Sequence, residues 1–292
     1  GEPAKRLAED HLRALRAIRF AARMQFNIDP ATSTAVREQA AHLSGVSRER
    51  IGDEVRRMLC AQTRLRAVRM LHDLELDGPS LAREHKPIAD AAPTLAALSG
   101  LRSVMREAEV SLGHALAAWA LDRGDVTQPG DIPAVVSGYR AALLLSNDER
   151  DAMSRTLRAV FGIERDWFNL SIAGRKRLAS GGGPGRDRSH FAAAAAMTLG
   201  RDEATWRKVE VDYASLCEFD PGLSPDPFLD GNDLIQAGHR PGPNFARWLD
   251  AVYDAQLEGE VTDKPGAFLW ISRFIERESA DAGNSPAAEA SE

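Results

Sequence analysis

Apolar residues recur along this chain at steps of three and four, the spacing that gathers them on one side of an α-helix. Alternation at steps of two, the signature of a strand, is scarce. Residues 7–26 carry Leu12, Leu15, Ile18 and Ala22 as one such stripe and predict a first helix. The stretch "NIDPATSTAVREQAAHL" restarts a helix at Asp29–Pro30, because Asp caps free backbone N–H groups and Pro fits the first helical position. In "GVSRERIGDEVRRMLC", Gly45 closes that helix and Ser47 caps a third, and residues 62–76 continue in register. Pro87, Pro93 and Gly100 then punctuate the chain. Further helical patterns follow in "MREAEVSLGHALAAWALD", at 133–145, 148–161 and 167–179, and as a pair from 188 to 218. Beyond the Pro-rich "FDPGLSPDPFLDG" come "NDLIQAG", "PGPNFARWLDAVYDAQLEG" and "TDKPGAFLWISRFIER", with Gly238 and Gly259 where helices stop. The predicted fold is all-α, in three segments at 1–76, 77–219 and 220–277, with a disordered C-terminus at 278–292.

Composition narrows the class. With 43% hydrophobic and 27% charged residues, the 292-residue chain reads as a soluble protein with a core. No apolar run approaches the roughly 18–20 residues of a membrane span, so no membrane partner is expected. Cys60 and Cys217 follow no metal-ligand spacing and read as two small buried side chains in a reducing, cytoplasmic setting. The net charge of −6 argues against a generic nucleic-acid binder and against DNA. Yet residues 1–70 hold 14 Lys/Arg against 8 Asp/Glu, a local +6 that leaves −12 on the other 222. A basic segment on an acidic chain points to a localised polyanion site, such as a triphosphate or a stretch of RNA backbone.

Within that segment, "EDHLRALRAIRFAAR" places an acid at Asp10 and arginines at Arg13, Arg16 and Arg19, each three residues on. A step of three turns a helix by about 300°, so the four form a slowly winding band in which Asp10 and Arg13 are near neighbours. As a solvated face this band is worth only roughly 0.2–0.5 kcal/mol per pair.

The same stretch resembles the neck motif of class II tRNA nucleotidyltransferases and bacterial poly(A) polymerases, of form E-D-x-x-R-x-x-R-A-x-R-F-A-A-R, with His11 where the family more often has Pro. "GVSRERIGDEVRRML" at 45–59 is similar to the family's next neck motif, and "DGNDLIQAGHRPGPNFARWLDAVYDAQLEGEVT" at 230–262 to its tail. The resemblance implies a neck at 1–76, a helical body at 77–219 and a tail at 220–277. It implies that Asp10 and Arg13 select the incoming base, with Arg16 and Arg19 helping to hold the nucleotide. Glu9, Glu49, Arg50 and Glu54 are then structural parts of the neck motifs. The chemistry agrees: a carboxylate accepts and a guanidinium donates, so the pair matches the amino group and ring nitrogen of cytosine or adenine. Uracil and guanine set a carbonyl against the carboxylate, at a cost of about 1–3 kcal/mol. The implied substrates are CTP and ATP, the implied partner is tRNA, and the implied activity is addition of C, C and A to tRNA 3′ ends. The alternatives are a poly(A) polymerase, which shares the neck motifs, and a stand-alone RNA-binding helical module.

The family's two-metal chemistry needs Mg2+ on paired carboxylates of an α/β head. Its Gly-Ser loop and Asp-x-Asp pair do not occur here, so no catalytic residue and no metal ligand is expected in this chain. The expectation is a neck, body and tail whose head lies upstream of Gly1, without transferase activity alone. His72–Asp73 lacks the second cluster of a metal hydrolase. "ALAAWALDRGD" keeps Asp122 but has Leu121 where an HD-type unit needs His, which favours a degenerate, structural body. The basic stretch "GRKRLASGGGPGRDR" makes Arg175, Lys176, Arg177, Arg186 and Arg188 candidate RNA-backbone contacts, although it lacks the ending of a phosphate-binding P-loop.

Overall fold

A computed structural model describes residues 2–86, 88, 92–100, 110–181 and 188–283, with side chains to residue 278. Among them every regular element is helical. The chain divides into two compact units, Gly1–Asp166 with Ser189–Val209, and Trp167–Arg188 with Glu210–Glu292.

The first unit opens with α1 (Pro3–Glu9) and α2 (Leu12–Met24), where one helix over 7–26 was expected. α3 (Pro30–Glu38) starts as its sequence directs, with Asp29 Oδ2 accepting from Thr32 N at 3.2 Å. α4 (Arg48–Leu59) starts on Ser47, whose Oγ accepts from Arg50 N. Leu12, Leu15 and Ile18 of α2 are buried with Ile51, Val55 and Met58 of α4 and Val68 and Leu71 of α5 (Arg64–Asp73). This core continues directly past residue 76. α4 packs on α9 (Ile132–Leu143), and Gly52 lets the two backbones meet, since a Cβ there would lie 2.4 Å from Leu143 O. Arg48 ties α6 (Asp77–Leu81) to the same place, donating to the carbonyls of Ala142, Pro79 and Ser80. Residues 1–76 and the helices that follow them as far as α9 therefore share one core.

The rest of this unit surrounds α8 (Leu112–Asp122), which is buried from Leu112 through Leu121. An apolar helix with no polar face must be enclosed. Its neighbours are α7 (Pro93–Gly100) and α10 (Asn147–Phe161), with α12 (Ser189–Arg201) closing against both. At Gly113 an added Cβ would stand 2.6 Å from Ala152 Cβ, so the α8–α10 crossing requires glycine. Asp122 accepts from the backbone of Thr94 and Leu95 and from the Thr94 hydroxyl. It holds the start of α7.

α13 (Glu203–Glu218) begins in the first unit and ends in the second. The second unit contains α11 (Ile172–Ser180), α14 (Gly231–Gln236), α15 (Asn244–Leu257) and α16 (Lys264–Gly283). Its core gathers Leu229, Leu234, Val252, Ala255, Val261 and Ile271. The Pro-rich stretch before α14 is fastened to α15: Tyr253 donates to Pro225 O at 3.0 Å, and buried Gln256 bonds Asp226 O and Phe228 N. α16 carries helix through 278–283, part of the expected disordered C-terminus. Glu278 is held there by Arg247 at 2.7 Å and Trp248 Nε1 at 3.0 Å. Residues 284–292 lie outside the described residues.

Both cysteines are exposed and outside any disulfide, contrary to the burial expected of them. Cys60 sits just past the end of α4 and Cys217 in the last turn of α13, both outside the packed stripes.

Candidate functional site

Asp10 is where the expected continuous helix breaks. Its backbone is extended (φ −154°, ψ 103°), and its Oδ1 accepts from Leu12 N at 3.1 Å while its carbonyl accepts from Arg13 N. A short acidic side chain competes with helical hydrogen bonding by taking the free N–H groups of the following turn. The winding band on one helix is thus corrected: Asp10 stands at a joint, and Arg13, Arg16 and Arg19 stand on α2. Asp10 does not pair with Arg13. Its Oδ2 takes a hydrogen bond from Arg50 Nη2 of α4 at 2.9 Å. Burial works against the Asp10 carboxylate, but the Leu12 N–H and the Arg50 and Arg16 charges outweigh it and hold the carboxyl below its ordinary 3.8.

Each arginine has its own anchor. Arg13 Nη1 donates to Glu9 Oε2 at 2.5 Å and to Arg6 O at 2.8 Å. Arg16 and Arg19 converge on Glu54 at 3.3 and 2.6 Å, and the Glu54 side chain is only 4% exposed. Arg19 also lies over the Phe20 ring, 4.2 Å from its centroid. Glu9, Arg50 and Glu54 therefore hold the four expected nucleotide residues in place. Glu49 is exposed in the first turn of α4, where an acid suits the positive end of the helix. The pairing of Asp10 with Arg50 was not legible in the sequence. Nor was the clamp made by Arg48, which fills an unspecified position of the second neck motif.

The structure breaks up the basic group expected at 175–188. Lys176 is fully buried, donates to Phe219 O at 3.2 Å and lies against the Phe219 ring, so its ammonium is not on the surface. Arg175 is bonded to Asp212 at 2.8 Å, and Arg177 to Asp254 and Asp250. Arg188 is exposed, and Arg186 lies outside the described residues. The acids that neutralise these arginines come from α13 and α15, far along the chain.

One group has the spacing of metal ligands. His72, Asp77 and His85 present donor atoms within 4.8 Å of one another. Asp77, however, is already bound by the buried Arg123, and His85 Nδ1 meets its other oxygen at 2.5 Å. Arg123 reaches on to Asp125, which also takes bonds from Tyr139 and Lys86. A fixed guanidinium on the carboxylate disfavours a second cation there, and the cluster is a charge-compensated network inside the core of the first unit. Burial, then the Arg123 charge, lowers the His72 pKa from 6.5 to about 4, so the ring is neutral and accepts from Trp119 Nε1 at 3.1 Å.

Comparison with known proteins places this geometry. Residues 25–77 match the family described as the probable RNA- and SrmB-binding site of polymerase A. The CCA-adding enzyme of Limosilactobacillus fermentum is 27% identical over 90% of this chain and 59% of its own length. That of Geobacillus stearothermophilus is 27% identical over 93% of this chain and 62% of its own. The crystal structure of the Bacillus stearothermophilus CCA-adding enzyme in complex with CTP superposes with a TM-score of 0.64 at 22% identity, covering 98% of this chain and 66% of that one. The Thermotoga maritima enzyme complexed with tRNA gives 0.57 at 14% identity, over 92% and 62%. The fold is thus the helical array shared by these nucleotide- and tRNA-bound structures. The chain is similar to CCA-adding enzymes along nearly its whole length, and it spans about three fifths of the length of the curated relatives it matches. Among the described residues no helix is long and apolar enough to cross a membrane.

Proposed function

We propose that this chain is the base-selecting and tRNA-gripping portion of an enzyme that adds C, C and A to tRNA 3′ ends. The observation that carries this reading is the extent of the likeness, since matches to curated CCA-adding enzymes run over 90% and 93% of the chain. They favour CCA addition over poly(A) synthesis. The site has donors and acceptors to spare. Leu12 N and Arg50 each take one oxygen of Asp10, and a carboxylate has about four lone-pair sites, so an exocyclic amino group can still be accepted. Arg13 engages only Nη1 among the described residues, leaving Nε and Nη2 to donate to a ring nitrogen. Arg16, half exposed beside Asp10, and Arg19 share the single charge of Glu54, which leaves a net +1 toward the triphosphate.

In this reading neck, body and tail divide the work: the neck selects the nucleotide, and the body and tail hold tRNA. Nucleotidyl transfer of this kind uses Mg2+ on paired carboxylates. The 292 residues contain no Asp-x-Asp pair, and Asp10 and Glu54 are spent on arginines. The residues of this chain do not fit that ion, and the reading assigns it to a catalytic portion outside them. Two cysteines outside any disulfide suit the cytoplasm, where we place the protein.

The test is transfer of single labelled nucleotides to tRNA lacking its terminal CCA by the full-length protein. CTP and ATP are expected to be used and UTP and GTP refused, with Asp10→Ala losing that preference. A long ladder of A residues, or a preference unchanged in Asp10→Ala, counts against the reading.

A further inference from the structure

Asp10 and Arg13, the two residues assigned to base selection, are the first and last of one four-residue turn. Arg13 N donates to Asp10 O at 3.0 Å and closes the turn, while Leu12 N donates to Asp10 Oδ1 at 3.1 Å. His11 stands inside both hydrogen-bonded rings, so its backbone angles set how the carboxylate and the guanidinium are offered to a base. At φ −63° and ψ −21° it occupies the first corner of a type I turn, with Asp10 in the opening position that favours Asp. That corner suits proline, whose ring holds φ near about −65°. The extended Asp10 (φ −154°, ψ 103°) also meets proline's demand on the residue before it. Histidine does not restrict φ by itself, and the His11 side chain makes no capping hydrogen bond.

A ring contact stands in proline's place. His11 stacks on His42, with centroids 5.1 Å apart and planes inclined by 17°, a favourable separation for a ring pair. His42 belongs to the short 3₁₀-helix Ala40–Gly45, which is anchored by buried Ala40 and Leu43. The exposed His42 ring is thus a shelf on a fixed turn. Beside it, Gln39 Nε2 donates to Ala4 O at 3.0 Å. Residues 39–42 therefore grip the chain on both sides of Asp10, α1 through Gln39 and the start of α2 through His42.

We infer that His11 and His42 are positioning residues for base selection, their stack fixing the turn that carries Asp10 and Arg13. The inference rests on the proposed function for the role of those two residues. Cytosine and uracil differ there in whether an amino group or a carbonyl meets the Asp10 carboxylate, so discrimination depends on where that carboxylate lies. A functional group has to be held within about 0.5 Å of its productive place by the residues packed around it. Arg50 holds one carboxylate oxygen from α4, and the ring pair holds the backbone beneath.

The experiment compares kcat/KM for CTP with that for UTP, using the full-length protein and tRNA lacking CCA. His42→Ala is expected to lower the CTP-over-UTP ratio about tenfold, within the roughly hundredfold that a 1 Å misplacement can cost. His11→Ala should lower it by a similar factor and the double Ala variant no further, because either change removes the same contact. Adding His11→Pro to His42→Ala is expected to restore the ratio, since proline holds the corner without a stack. A purely structural role for the rings predicts no such rescue. Thermal unfolding of each variant accompanies the kinetics. An unchanged ratio in His42→Ala, additive losses in the double Ala variant, or failure of proline to restore the ratio overturns the inference and leaves the proposed function standing. A fall in the ratio that only follows a lowered melting temperature does the same. A ratio unchanged in Asp10→Ala overturns both.

Discussion

Arg19 Nε lies 2.6 Å from the carboxylate of Glu54, a side chain only 4% exposed, and the pair joins α2 to α4. Arg16 reaches the other oxygen of the same carboxylate from a half-exposed position. Removing the acid leaves two arginines without their counter-charge at a packed crossing. Glu54→Ala is expected to cost about 3–5 kcal/mol, the range for breaking a buried pair from one side. Arg16→Ala should cost less than about 1 kcal/mol, since its partner keeps Arg19. Urea unfolding measures both, and equal losses would show that Glu54 does not depend on burial for its effect.

The glycines at helix crossings make a second contrast. Gly113→Ala drives a methyl to within 2.6 Å of Ala152 Cβ and 2.7 Å of Met153 N, and Gly52→Ala puts one 2.4 Å from Leu143 O. Each is expected to cost about 1–3 kcal/mol by overpacking. Gly130 has nothing within 4 Å of an added Cβ, and Gly130→Ala should stay within about 0.5 kcal/mol of wild type. Thermal unfolding of the three variants decides between crossing and composition as the cause.

His72 sets a pH dependence. Its pKa falls from 6.5 unfolded to about 4 folded, so between those values the unfolded chain binds more protons and stability drops as pH falls. The loss begins below about pH 6.5, is complete near pH 4 and totals about 3 kcal/mol at 1.36 kcal/mol per pKa unit. Denaturant midpoints taken at stepped pH should show this slope in wild type. It should flatten in His72→Gln, which keeps an acceptor for Trp119 Nε1 and has no proton to gain.

Arg50 should act on nucleotide addition through Asp10. Arg50→Ala removes a hydrogen bond and a charge that hold the Asp10 carboxyl below its ordinary value, so that carboxyl should protonate at higher pH. In the full-length protein the acid limb of the pH–rate profile for CTP addition is expected to move upward. An acid limb unchanged in position would separate Arg50 from the selecting carboxylate.

Much of the helical framework was legible because its cues are local. Asp29 and Ser47 cap their helices through bonds to residues three further on, and Gly238 and Gly259 take the positive φ of helix ends. Such interactions are settled within one turn of chain. The break at Asp10 was hidden because apolar periodicity runs unbroken across it, while the side chain's own bond to Leu12 N decides against continuity. The candidate site was legible as a motif, since Asp10, Arg13, Arg16 and Arg19 stand at fixed spacing, but not as a set of contacts.

By itself, then, the sequence determined the all-helical class, the helix caps and the residues of the neck motif. Each of these depends on backbone propensity and side chains a few positions apart. The tertiary structure alone decided which charges are spent and which are free. Arg19 finds Glu54 35 residues away and Arg50 finds Asp10 40 away, while Lys176 is buried against Phe219, 43 positions on. Arg23 and Arg57 meet no such partner among the described residues. A charge on a helix is available to a ligand only if no distant acid packs against it, and that is settled by how the helices cross, which no local pattern records.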